Sequence, residues 1–273
     1  MRRALVGSIT TAAGAFALVW LAPVAIPPAQ AQTADGAAQR ASAGPVPRLP
    51  DGHPDLSGVW WGGADVGGRG FGAPRGRPQG PRPPSFTDLY QPWAAEKAKT
   101  LSDKDDPTLH CGPVAFGTLN VRLWNVGAVG QIVATPRFVA LLSETYHDFQ
   151  LVPTDGRAHR EDQPPSRRGD AVGHWDGDTL VVDVTNFTDD TWMFAEGRVS
   201  FHSDALHIIE RYTRTDANTL EIEATVEDPK VLTRPWRVPT QTLQLAPFDQ
   251  ILNLDCSGFG TPELMEGAAQ KAE

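Results

Sequence analysis

His202-Ser203-Asp204-Ala205-Leu206-His207 runs directly into Glu210-Arg211, placing two imidazoles, two carboxylates and a guanidinium in one short stretch. A histidine near its unperturbed pKa suits proton transfer at neutral pH, and a neighbouring carboxylate or guanidinium can orient it or stabilise developing charge. In that chemistry His207 or His202 is the general base. Glu210 or Asp204 is the acid or orienting group, and Arg211 stabilises an oxyanion. A second population lies at the ends of predicted strands: His147, Asp148, Arg157, His159, Trp175, Asn186, Trp192 and Trp236. Aromatic walls with a few placed polar groups are what a small-molecule pocket requires.

Other chemistries find little support. Glu144-x-x-His147-Asp148 and His202-x4-His207 invite a metal reading. The first lies in a predicted strand, where positions three or five apart point to opposite faces. No metal is therefore assigned, and no organic cofactor. Gly67-Gly68-Arg69-Gly70-Phe71-Gly72 does not sit between a strand and a helix, so it is not a dinucleotide fingerprint. Neither a zinc-protease H-E-x-x-H helix nor a G-x-S-x-G nucleophile elbow is present.

The elements that must position these residues are strands. Pro54–Trp61 reads as the first strand and 92–101 as the one helix, with a proline at its start. From about residue 120 the periodicity becomes two. Gln131–Thr135 and Phe138–Val152 contain strand-like runs. Asp176-Gly177 separates Val172–Trp175 from Thr179–Thr185 as a hairpin. Asp216-Ala217-Asn218 separates Ala205–Thr213 from Leu220–Glu227. Arg234–Leu245, bent or at an edge because of Pro235 and Pro239, and Asp249–Asp255 complete the series. Consecutive strands with short turns predict an all-β fold: an antiparallel meander closed as a lipocalin-like (calycin-type) barrel, with one short N-terminal helix and a long irregular N-terminal segment.

The hairpin Ala205–Glu227 carries the most information about function. Leu220–Glu227 alternates apolar and acidic residues, whereas its partner Leu206–Tyr212 has polar groups on both faces. A three-residue loop turns Glu210 and Tyr212 inward, beside Ala224 and Ile222. A two-residue loop, pairing Asp216 with Thr219, turns His207 and Arg211 inward instead, because a one-residue slip exchanges the faces. Either register puts an ionisable residue inside the barrel, where it is costly unless it is paired or meets water or ligand.

Arg2 and Arg3, the Ala-rich apolar run to about Ala22 and Ala29-Gln30-Ala31 form a cleavable secretory signal, residues 1–31. Residues 32–53 are expected to be a flexible leader, 54–258 a single barrel domain and 259–273 a flexible tail. The Gly/Pro/Arg-rich stretch 62–84 reads as an insertion. Export implies a periplasmic or secreted protein with no membrane span after cleavage. Loss of Arg2 and Arg3 takes the formal charge from −9 to −11, which argues against a nucleic-acid partner. It suits neutral, cationic or weakly polar molecules. Two cysteines, Cys111 and Cys256, are expected to form a disulfide in an oxidising compartment.

Asp55-Leu56-Ser57-Gly58-Val59-Trp60, Asp155-Gly156-Arg157-x-His159, Gly173-His174-Trp175-Asp176-Gly177-Asp178-Thr179-Leu180-Val181-Val182-Asp183, Thr185-Asn186-Phe187, His202–His207, Glu210-Arg211-Tyr212 and Thr233-Arg234-Pro235-Trp236 together resemble a family of uncharacterised secreted bacterial proteins. The resemblance spans roughly residues 54–240 and implies export without implying a chemistry. Three functions follow as expectations. The first is an exported small-molecule-binding barrel for an apolar or aromatic ligand. The second is a cofactor-independent lyase, hydratase or isomerase, and the third an envelope structural or interaction protein.

Overall fold

The computed structural model describes residues 44–62, 84–110, 112–115, 129–144, 149–193 and 199–252. The expected signal, residues 32–43 of the leader, residues 63–83 of the insertion, His147, Asp148, both cysteines and residues 253–273 lie outside the described residues.

Among the described residues nine strands follow one another: β1 (Gly58–Trp61), β2 (Val129–Ala134), β3 (Phe138–Ser143), β4 (Phe149–Pro153), β5 (Asp170–Asp176), β6 (Thr179–Thr185), β7 (His207–Asp216), β8 (Thr219–Glu227) and β9 (Trp236–Leu245). One α-helix among the described residues, α1 (Pro92–Ala98), precedes β2. The strands form one sheet in the order β4-β3-β2-β1-β9-β8-β7-β6-β5, and every ladder is antiparallel. This is the expected all-β meander, a nearly closed barrel consistent with a lipocalin-like architecture.

Closure meets a parity constraint. A ring with an odd number of strands cannot be antiparallel at every junction. Following the ladders around the sheet shows that β4 and β5 run in the same direction, and among the described residues no ladder joins them. They meet through close packing instead. A Cβ added to Gly173 of β5 would lie 2.8 Å from Val152 Cγ1 and 3.3 Å from the Pro153 carbonyl oxygen, both on β4. Gln150 Nε2 donates to the Arg168 carbonyl across the same seam at 3.0 Å.

The β7–β8 hairpin combines features of both expected registers. Asp216 pairs with Thr219, which leaves the two-residue loop Ala217-Asn218. A bulge between Arg214 and Asp216 then inserts Thr215 and exchanges the faces again. Glu210 therefore lies opposite Ala224 and Tyr212 opposite Ile222, both inward, while His207 and Arg211 face outward. Across the ladders the inward residues form rows: Gly173–Val182–Glu210–Ala224–Val238, then Trp175–Leu180–Tyr212–Ile222–Gln241. A second bulge opposite Glu223 takes up Pro239 and Thr240, so β9 bends yet pairs on both sides.

Three other expectations are adjusted. The run Phe138–Val152 is two strands, β3 and β4, and the helix ends at Ala98 rather than near residue 101. Residues 249–252 of the expected last strand form no ladder. The chain also covers the barrel's ends. At the β5–β6 turn, Arg48 makes a bidentate contact with Asp178, 2.8 Å at each nitrogen, and the His53 ring stacks on Trp175. At the other end Phe86, Tyr90, Phe201 and Trp236 form a buried aromatic group.

The seam generates a test. Gly173→Val places branched carbons where Val152 and the Pro153 carbonyl already stand, and it is expected to lower unfolding free energy by about 1–3 kcal/mol, the range for overpacked cores. Urea denaturation checks this.

Candidate functional site

On the outer face of β5–β8 five side chains form an unbroken chain of contacts. His159 comes from the connection between β4 and β5, Asp170 opens β5, Asp183 lies on β6, His207 opens β7 and Glu227 closes β8. His159 Nδ1 is 2.9 Å from Asp170 Oδ2, and His159 Nε2 is 2.9 Å from Asp183 Oδ1. The same Asp183 oxygen is 3.0 Å from His207 Nε2, while His207 Nδ1 is 3.3 Å from Glu227 Oε2. Strand alternation explains the meeting. Asp183 and His207 both point away from the interior rows, and His159 is laid over them from outside.

Position 159 is fixed by its neighbours. Asp170 Oδ2 also accepts the Arg160 backbone N–H at 3.1 Å. Further along the connection Ser166 exchanges backbone hydrogen bonds with Asn186 and Thr188. Asn186 takes a positive φ of 61° there and donates through Nδ2 to the Gln163 carbonyl. With carboxylate oxygens at both ring nitrogens, His159 satisfies both contacts only as imidazolium. Burial works to lower its pKa, but the hydrogen bonds to Asp183 and Asp170 outweigh that, and the net shift is upward.

The chain is partly open to solvent: the two imidazoles and Asp183 each keep about a third of their side-chain surface. Val172 and Ile209 flank Asp183 in its own outward row, and Val181 is its neighbour along β6. The site thus offers polar groups beside an apolar strip. Three carboxylates against two imidazoles give it a bias toward hydrogen-bond donors and cations. Among the described residues no group of three or more His, Cys, Asp or Glu side chains is gathered to hold a metal ion.

The structure brings His159 and His207 together and disperses the other candidates. His202 is buried: Nδ1 faces the Ser203 carbonyl at 2.9 Å and Nε2 faces the Thr191 hydroxyl at 2.8 Å. A carbonyl can only accept, so the proton sits on Nδ1, and burial pushes the pKa down toward the neutral ring. Glu210 is 3% exposed on the inner wall and accepts from the Tyr212 hydroxyl at 3.1 Å. Burial raises its pKa against the opposing effects of Tyr212 and the Arg168 charge.

Asp204 pairs with Lys230 and Arg211 with Asp176 at the surface. Arg157 is held by exposed Asp155. Trp192 and Trp236 are core residues, and the Trp236 indole donates to the Pro84 carbonyl. Trp175 faces inward beneath His53. Glu144 Oε1 accepts the Leu252 backbone N–H.

Asp170 and Glu227 were not singled out from sequence, and Asp183 entered only as the last residue of the Gly173–Asp183 motif, with no site role. Asp183 did leave a signal, a carboxylate interrupting the apolar run Leu180-Val181-Val182-x-Val184. Glu227 is one of several acids on the outer face of β8, and Asp170 carries no local mark. Asp228 is a further buried group the motifs did not flag; its carboxylate accepts from the Ser203 N–H and hydroxyl, both at 2.7 Å, and from the Lys230 and Val231 N–H groups. No protein-family model, curated protein or solved structure matches the chain.

Two outcomes follow. A histidine whose folded pKa is raised contributes stability that is fully present below its unfolded value, about 6.5, and is lost as pH rises through the folded value. The stability difference between the native chain and His159→Gln is therefore expected to be largest near pH 6 and to shrink as the pH becomes alkaline. The ring's partial exposure to solvent keeps it to about 1 kcal/mol or less. Urea unfolding at several pH values reads this. Asp228→Ala orphans buried donors and is expected to cost about 2–3 kcal/mol, whereas Asp204→Ala leaves stability unchanged within error.

Proposed function

We propose that this is an exported small-molecule-binding β-barrel whose ligand meets the outer imidazole–carboxylate chain rather than the barrel interior. The observation that carries the reading is the sharing of Asp183 Oδ1 by His159 Nε2 and His207 Nε2 in a partly solvent-open position. A chain of satisfied polar groups beside the half-buried Val172 and Ile209 suits a ligand with an apolar or aromatic body and a hydroxyl or amine head. The head group would donate into the carboxylates, and the body would lie on the apolar strip. Glu210 is the less accessible alternative, because its row and the next are covered at both ends by the residues around His53 and Phe86.

The secretory signal supports the location. Cleavage after Ala31 would deliver the barrel to the periplasm or the outside.

A second reading has its own observation. Two imidazoles linked through one carboxylate can pass a proton between ends of the chain, as a cofactor-independent lyase or isomerase needs. In it the His207 Nδ1 contact with Glu227, the longest of the chain at 3.3 Å, opens so that Nδ1 can take the proton from substrate, Asp183 orients the ring through Nε2 and the His159 imidazolium stabilises negative charge.

One screen tests both. The mature chain is put through a thermal-shift screen of aromatics, terpenoids and glycosides, and hits are titrated against His207→Ala, His159→Gln and Glu210→Gln. Weakened binding by at least tenfold in the first two variants, with Glu210→Gln near native, is the expected result. Loss confined to Glu210→Gln would move the ligand inside the barrel. Turnover lost in His207→Ala with affinity retained would select the enzyme.

A further inference from the structure

The barrel end beside the β5–β6 turn is crossed by a strap of the chain itself, residues 44–57. Both ends of the strap are tied at the β7–β8 turn. The Ala217 N–H donates to the Gly44 carbonyl at 3.1 Å. Arg214, buried with its guanidinium over the Trp60 ring, donates to the Asp55 and Ser57 carbonyls. Between these ties the strap doubles back on itself. The Leu49 N–H donates to the His53 carbonyl, and the Asp55 N–H to the Pro47 carbonyl. The tip is held at the β5–β6 turn by the Arg48–Asp178 pair and by the His53 ring lying on Trp175. That ion pair is exposed, so it contributes little. A buried arginine thus fixes the root while exposed contacts hold the tip, which is the division of strength a lid needs.

Beneath the tip lie two buried polar groups. Trp175 Nε1 and Thr154 Oγ1 have no hydrogen-bond partner among the described residues, and Thr154 is only 9% exposed. They reach the same end of the β4–β5 seam. Val152 packs at Gly173, the two strands run the same way, and each residue lies two positions further along. Buried polar groups are normally paired, so two at one place mark where a partner from outside the chain belongs. The ring above them shows the shape of that partner. His53 is parallel to the Trp175 indole, with 5° between the planes and 4.7 Å between the ring centroids.

We propose that the Trp175 face is a second ligand site, for a flat, neutral aromatic molecule bearing a hydrogen-bond acceptor, and that His53 occupies it until such a ligand lifts the strap. The ligand ring stacks on the indole as His53 does, and its acceptor takes the Trp175 N–H with the Thr154 hydroxyl beside it. Neutrality follows from the surroundings. The inner row of Trp175 continues through Leu180, Tyr212 and Ile222, all buried, where a charge would lose its water. The site is separate from the outer imidazole–carboxylate chain. Asp170 and Trp175 stand five residues apart at opposite ends of β5, about 17 Å along the strand.

Quinoline is the probe: it is flat, uncharged at neutral pH, and carries an acceptor but no donor for the outer carboxylates. Calorimetric titration of the full-length chain reads its affinity, and hydrogen exchange over residues 48–54 reads the strap. His53→Ala and Arg48→Ala are each expected to strengthen binding about fivefold, the weight of one aromatic stack, because the competing ring is removed or released. Trp175→Phe added to His53→Ala keeps a ring without the N–H and should reverse that gain. In the native chain quinoline should speed exchange over 48–54, and His207→Ala should leave its affinity unchanged. Unaltered affinity in both strap variants overturns the proposal, as does slower exchange on binding. Absence of binding in every variant also overturns it and leaves the two polar groups to trapped water. Loss of binding in His207→Ala would assign quinoline to the outer chain instead. Circular dichroism confirms folding, and the strap variants with the exchange measurement decide the matter if Trp175→Phe fails to fold.

Discussion

A ring of nine strands cannot be antiparallel at every junction, and the position of the one exception organises the molecule. The exception falls between β4 and β5, which run the same way. A connection between two strands of the same direction must travel back along the barrel, since a tight turn joins only antiparallel neighbours. Residues 154–169 make that journey over the outside. They place His159 against Asp170 and Asp183, and thereby build the imidazole–carboxylate chain. Among the described residues no ladder closes the seam, which is packed by the absence of a side chain at Gly173 and by Gln150 reaching Arg168.

The interior and exterior then divide the ionisable residues by a one-residue device. Without the bulge at Thr215, the two-residue β7–β8 loop would carry His207 and Arg211 into the core. With it, Glu210 and Tyr212 enter as a hydrogen-bonded pair, Glu210 opposite the small residue Ala224. A buried acid of this kind favours its protonated form, because desolvation penalises the charge. His207 remains outside, where water moderates the cost of three clustered carboxylates. The polar chain on β5–β8 contrasts with the exposed Val133, Phe138, Phe149 and Leu151 on β2–β4.

Much of the strand order was readable because alternation and turn residues are local. Gly177 supplies the positive φ of 59° that its hairpin needs, and Pro239 marks the bend absorbed by the β9 bulge. Boundaries were read less well where propensity alone had to decide. Phe138–Val152 is apolar enough to look like one strand, yet β3 and β4 lie antiparallel in register within it. Among the candidate residues, local clustering was a poor guide to partnership. His202 and His207 are five apart in sequence, yet one is a buried tie to Thr191 and the other an outer-face group.

The amino-acid sequence by itself determined the all-β meander, the short helix and the fact that an ionisable residue must enter the barrel. Those properties follow from periodicity, turn chemistry and the polar content of both faces of Leu206–Tyr212. Only the tertiary structure decided which residue enters, because a single inserted residue reverses every facing and leaves no compositional trace. It also decided that His159 and His207 share Asp183. Their meeting depends on the parity of the strand ring and on the path of the connection it forces, both properties of the closed sheet rather than of any segment.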